Sequence, residues 1–331
     1  ANLFREIRNN KQLAKSESIL KGVKRVFESD TLYSSDGSFF NNMSYSSGGT
    51  IYGPLQPCIE ILTENKSVAD EVRVMLVKRA ENESSRAIAN LMLLMLDIGE
   101  GTPETVTPDL VSKRIAESIQ SGGDGITQTV WWELGQFLLE KPDYANQAVT
   151  VLEHGKIAPV RSSMDQYEYS IDAKLTDAYV AAKQKDKARA GLLIGYEKTD
   201  NSAQNQHNPG YGDYADLNSY RSIADKLLQI DSKLDAIRIY SDALSKPNRF
   251  ANAERWGGSR NLKETFETSL NKAMKDLNET DYIAFLSINQ TPADSDDEKN
   301  KNATAPKSKG TSHKFFDLVP LALTIDTAAE R

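Results

Sequence analysis

The sequence predicts an all-α protein built of paired helices, on three observations. Apolar residues recur at the spacing of a helix face through most of residues 1–287. From about residue 126 to 277 the helical stretches come in pairs. Small residues return at matched places in successive pairs, as alanines and glycines do where two helices cross closely.

Taken in order, Leu13, Ile19, Leu20, Val23, Val26 and Phe27 set a helical pattern within residues 2–28. Residues 31–57 are rich in Ser, Gly, Asn and aromatics and lack that period; a long irregular loop with one short hairpin is expected there. The pattern returns at 58–64, 68–81 and 84–98, and the run from Ile88 to Gly99 is apolar almost all round, as in a buried helix. Thr107 and Pro108 open a helix expected to reach Gln120, because proline fits the first helical turn. Ser121–Gly125 breaks it. The stretch 197–218 reads as another loop. Residues 288–313 hold almost no large apolar side chains and many charges. They bury too little to offset ordering entropy and are expected to be a disordered linker. The apolar tail 314–331 is expected either to dock through 315–325, on an apolar surface of this chain or of a neighbouring copy by self-association, or to begin a further domain.

The bulk composition narrows the function. The chain has 331 residues, 39% of them hydrophobic, which suits a fold with much surface. A net charge of -7 argues against binding nucleic acid or an acidic membrane surface. Cys58 is the only cysteine, so no intrachain disulfide can form and compartment is not readable. No apolar run has the roughly 18 residues a membrane helix needs, so no membrane insertion is expected. The start at Ala1 fits a removed leader or a piece of a longer protein.

Three windows share one pattern. The third has Tyr220, Ile223, Ala224 and Leu227, then Ala236, Tyr240, Ala243 and Pro247. The second has Leu175, Tyr179, Ala188, Leu192 and Gly195 at the same offsets. The first has Trp131, Leu134, Gly135 and Leu138, then Ala148, Leu152 and Gly155 after one extra residue, closing near Pro159. This resembles the tetratricopeptide repeat, whose small positions lie at helix crossings and whose large ones fill the gap to the next pair. The units span about 128–159, 169–200 and 217–248, further apart than the family's period of about 34 residues, so inserts separate them.

The resemblance implies an irregular right-handed α-α solenoid of antiparallel helix pairs, with a groove lined by the first helix of each pair. The groove positions it implies are Thr129, Trp132, Gln136 and Leu139, then Ser170, Ala173, Asp177 and Val180, then Asn218, Arg221, Asp225 and Leu228. Trp131 falls on the anchor between the helices, and Trp132 either faces the groove or packs on a neighbouring unit. Asp177 and Asp225 would repel an acidic peptide, so a polar or basic peptide suits the set better. A second surface is offered by loop aromatics Tyr33, Phe39, Phe40, Tyr45, Tyr211 and Tyr214, which either pin the loops or stack on sugars.

Catalytic and metal chemistry find little support. His154, His207 and His313 are far apart and none is spaced for zinc. The glycines of Asp97–Gly101 and Ser121–Gly125 follow helices rather than strands and lack a phosphate-loop lysine, so they read as helix ends. The acidic run at 294–300 lacks the glycine and closing glutamate of a calcium loop. The expected function is therefore a non-enzymatic protein–protein interaction scaffold, without cofactor, that binds a peptide or protein segment. The rival is a carbohydrate-binding or carbohydrate-processing helical domain.

Overall fold

The structure is a computed structural model and describes residues 15–33, 45–47, 50–52, 55–122, 126–159, 171–203, 209–255, 261–278 and 280–283. The fold is all-α apart from one two-stranded hairpin among the described residues. The expected linker 288–313 and tail 314–331 lie outside the described residues. The chain divides into two compact units, Ala1–Ala188 and Arg189–Arg331.

In the first unit, α1 (Glu17–Glu28) buries Val23, Val26 and Phe27 along one stripe. A tight turn, Asp30–Tyr33, follows and buries Leu32 and Tyr33. The hairpin anticipated in this region pairs β1 (Tyr45–Ser47) with β2 (Thr50–Tyr52), antiparallel. Three helices come next: α2 (Leu55–Thr63), α3 (Lys66–Ala80) and α4 (Glu83–Glu100). Asn82 caps α4 through its side-chain oxygen, which accepts from the Ser84 N–H. As its composition requires, α4 is buried over most of its circumference and packs on α2, α3 and the next helix. Gly99 permits part of this: a Cβ there would stand 2.6 Å from Thr63 and 3.1 Å from Ile59 on α2. Helix α5 (Pro108–Gln120) has the predicted bounds, with Thr107 Oγ1 accepting from the Leu110 N–H.

Then come the helix pairs. Helices α6 (Gln128–Leu139) and α7 (Ala145–Ile157) pack together, and α8 (Ile171–Ala181) packs on both. The repeat's small positions sit at the crossings. A Cβ on Gly135 would collide with Leu152, and one on Gly155 would stand 2.5 Å from Ile171 and 2.7 Å from the Trp131 Cβ. Trp131, Leu134, Leu138, Ala148 and Leu152 are fully buried.

The boundary between the units falls within α9 (Lys185–Ala203). The second unit continues with α10 (Pro209–Gln229), α11 (Lys233–Leu244), α12 (Pro247–Arg255) and α13 (Leu262–Lys275). The loop expected at 197–218 is corrected here: α9 runs on to Ala203 and α10 starts at Pro209, a residue suited to a first turn. Asp200, Asp213 and Asp216 look solvent-bound in sequence but are tied to Lys246 and Arg249. Tyr220, Ala224, Leu227, Ala236, Tyr240 and Ala243 are fully buried.

Within this unit the helices stack in two rows. First helices meet as α10 packs on α12, and second helices meet as α11 packs on α13. Arg189 pairs with Asp235, Tyr196 with Asp242 and Asp200 with Lys246, each 46 residues apart. A constant separation means that α9 and α11 lie side by side and run the same way. The Phe266 ring of α13 meets Tyr240 of α11 at 5.6 Å and Phe250 of α12 at 5.3 Å, both edge-on. Helices α12 and α13 thus touch through Phe250 and Phe266, and neither carries the repeat's sequence pattern.

Candidate functional site

The expected groove divides into a closed part and an open part. In the first pair, Thr129, Trp132 and Gln136 are not groove-lining but buried, with Trp132 only 2% exposed. The reason is tertiary. Helix α2 lies against α6, where Gln136 Nε2 donates to Gln56 Oε1 at 3.4 Å and Gln56 Nε2 donates in turn to Glu140 and Glu60. From the other side the Lys174 ammonium of α8 lies 5.5 Å over the Trp132 ring. Neither residue presents a free face to a partner.

At the centre of this closed part is Glu133, which the sequence reading passed over. It is the one charged residue of α6 and is 1% exposed. Its carboxyl accepts backbone N–H groups of Leu55 and Gln56, the first residues of α2. Burial, against those two bonds, pushes the Glu133 carboxyl up from 4.5 to about 8. Burial, with Glu133 nearby, likewise pushes the Cys58 thiol up to about 12, so it is no nucleophile at neutral pH. A lone acid in so apolar a helix was the sequence signal available.

The expected positions are open on α8, in the first unit, and, separately, on α10, in the second. On α8, Ala173 is exposed and Asp177 and Val180 are half-buried; Ser170 lies outside the described residues. On α10, Arg221 is exposed, while Asn218, Asp225 and Leu228 are half-buried. Asn218 Nδ2 donates to the Tyr214 carbonyl at 2.9 Å, and Arg221 reaches Asp225 at 3.7 Å. Asp225 also accepts the Tyr240 hydroxyl, which anchors this face to α11.

The aromatic-loop surface keeps one described, exposed member. Tyr33 is corrected: it is 5% exposed, donates to the Phe27 carbonyl at 2.8 Å and carries the Arg79 guanidinium 4.8 Å over its ring. It is a core residue with no face for a sugar. Tyr214 is 38% exposed. Phe39 and Phe40, and the side chains of Tyr45 and Tyr211, lie outside the described residues.

Sequence reasoning also missed an acid–base network in the second unit. Arg249 of α12 bonds Asp213 at 3.2 Å, Asp216 at 3.5 Å and the Tyr220 hydroxyl at 2.9 Å. That hydroxyl donates to Asp200, which also takes Lys246; Lys246 reaches Asp242, the acceptor of Tyr196. Each carboxylate meets a base or a hydroxyl, so the network holds α9, α10, α11 and α12 together. No periodicity advertises it, because its members come from four helices. In the first unit, a cleft of 410 Å³ is lined by Asp97, Glu100, Thr105, Val106, Leu110 and Arg114, with Asp97 between Arg73 and Arg114.

Among the described residues, no three His, Cys, Asp or Glu side chains converge to hold a metal ion, and no helix is long and apolar enough to cross a membrane. No family model, curated protein or solved structure matches the chain.

Proposed function

We propose that the protein is a non-enzymatic scaffold whose helix pairs stack as an irregular, tetratricopeptide-like solenoid of antiparallel helices. It holds a peptide or protein segment on the open face of a first helix. The observation that carries this is the register on α10. Tyr220, Ala224 and Leu227 are fully buried, and the neighbouring position Arg221 is exposed beside Asn218 and Asp225. Burying one stripe so completely turns a fixed set of polar side chains outward, which is how a repeat builds a recognition surface.

The chemistry of the face selects the partner. One guanidinium, one carboxylate and one carboxamide offer both donors and acceptors, and the Arg221–Asp225 distance of 3.7 Å leaves capacity on both groups. A polar, mixed-charge segment fits; a uniformly acidic one is repelled by Asp225. Within the first unit, Asp177 on α8 is a separate contact of the same kind.

The test is a peptide selected from a random display library against the whole chain, titrated by fluorescence anisotropy. Arg221→Glu is expected to weaken binding at least tenfold while leaving the circular dichroism melt unchanged. Selected peptides that bind the Arg221→Glu chain as well as the wild type would overturn the assignment of this face. A rise in melting temperature with soluble oligosaccharides, without any peptide binding, would favour a carbohydrate-handling protein instead.

A further inference from the structure

The buried contact between α6 and α2 carries an inference that stands apart from the binding proposal. Glu133 and Gln136 are one turn apart on α6, 1% and 7% exposed, and each has an acceptor oxygen, Oε1, with no hydrogen-bond partner. Two buried orphan acceptors one turn apart on a helix are costly and call for a donor. The donors around them, among them the Trp131 and Trp132 indole N–H groups of the same helix, bond neither oxygen. Gln56 gives its amide hydrogens to Glu60 and Glu140, and the Cys58 thiol makes no hydrogen bond to either oxygen. The charged and titratable groups that face the place are Cys58 and Glu60 from α2, Glu140 at the end of α6, and Lys174 from α8 over the adjoining Trp132.

We propose that Glu133 is a neutral carboxylic acid in the folded protein, and that its proton, donated to Gln136 Oε1, is a pH-sensitive latch on α2. One proton serves both orphans, because the protonated Oε1 becomes a donor and Gln136 Oε1 becomes its acceptor. The other carboxyl oxygen still accepts from Leu55 and Gln56, so the α2 N-terminus stays seated. Loss of the proton leaves an anion inside an apolar contact, facing a second acceptor. Helix α2 covers Gln136 and buries Cys58, so release of the latch loosens this side of the first unit.

The sign follows from burial. The folded group titrates near 8 rather than 4.5, so the folded state holds a proton that the unfolded chain gives up in between. Stability from this group is complete below pH 4.5, falls through the neutral range and is lost as pH rises past about 8.

Isotope-edited infrared spectroscopy of the whole chain, with labelled glutamate, tests the proposal. The wild type at neutral pH is expected to show a protonated carboxyl stretch that disappears reversibly above pH 8. Glu133→Gln, which keeps the shape and supplies an N–H donor, is expected to lack that band and to show a flatter fall in urea midpoint with pH. A folded wild type whose spectrum contains only carboxylates at neutral pH overturns the proposal. So does a protonated band that persists in Glu133→Gln. Should Glu133→Gln fail to fold, the wild-type band and its titration decide alone.

Discussion

Trp131 and Trp132 occupy consecutive positions about 100° apart on α6, and both are buried, at 0% and 2% exposure. One helix can bury both only if it is covered on two sides. Trp131 turns to α7, where it meets the His154 ring edge-on at 4.7 Å, and Trp132 turns to Lys174 of α8. Truncating either to Ala is therefore expected to destabilise the fold by about 3–5 kcal/mol. The check is a urea unfolding series on the two single variants. A silent Trp132→Ala would mean that its cover is loose and that the face opens readily. Tyr33 is similar: burial pushes its phenol up to about 12, and its hydroxyl serves the α1 backbone.

At the scale of helices, glycines separate close crossings from tolerant places. Gly22 lies inside α1 with nothing near its missing Cβ, and Gly155 of α7 has Trp131 and Ile171 against it. Gly22→Ala is expected to stabilise by roughly 0.5–1 kcal/mol through helix propensity. Gly155→Ala is expected to destabilise by about 1–3 kcal/mol through overpacking, less the same propensity gain. Thermal melts of the two variants should move in opposite directions. In the second unit the polar network is a further point of attack. Arg249→Met leaves Asp213 and Asp216 without their base, and breaking a largely buried ion pair from one side costs about 3 kcal/mol. Restored stability in the triple variant with Asp213→Asn and Asp216→Asn would identify the uncompensated charge as the cause.

For the molecule as a whole, the two rows of helices in the second unit extend a pattern that sequence spacing alone showed in only three windows. The circular dichroism spectrum is expected to be dominated by helix; a strand-dominated spectrum would contradict the fold. The described helices leave two different kinds of first-helix face, one closed by α2 and one open on α10. On the proposed function, it is the open kind that meets a partner.

Helix existence was legible in the sequence because it is local. The capped start at Thr107–Pro108, the apolar circumference of α4 and the matched small residues of α6–α7 and α10–α11 are short-range patterns, and the chain obeys them. The long helices around residues 197–218 were hidden, because their Asp and Tyr side chains read as loop composition until Arg249 and Lys246 are brought beside them from α12 and the turn before it. The same limit applied to the site. Spacing placed Arg221 on an outward position, but it could not foresee that α2, about 75 residues earlier, closes the equivalent face of α6 over Gln136. Nor could it foresee that this contact makes a buried acid of Glu133. Those outcomes depend on which helix packs against which, and a periodic pattern carries no information about the identity of its neighbour.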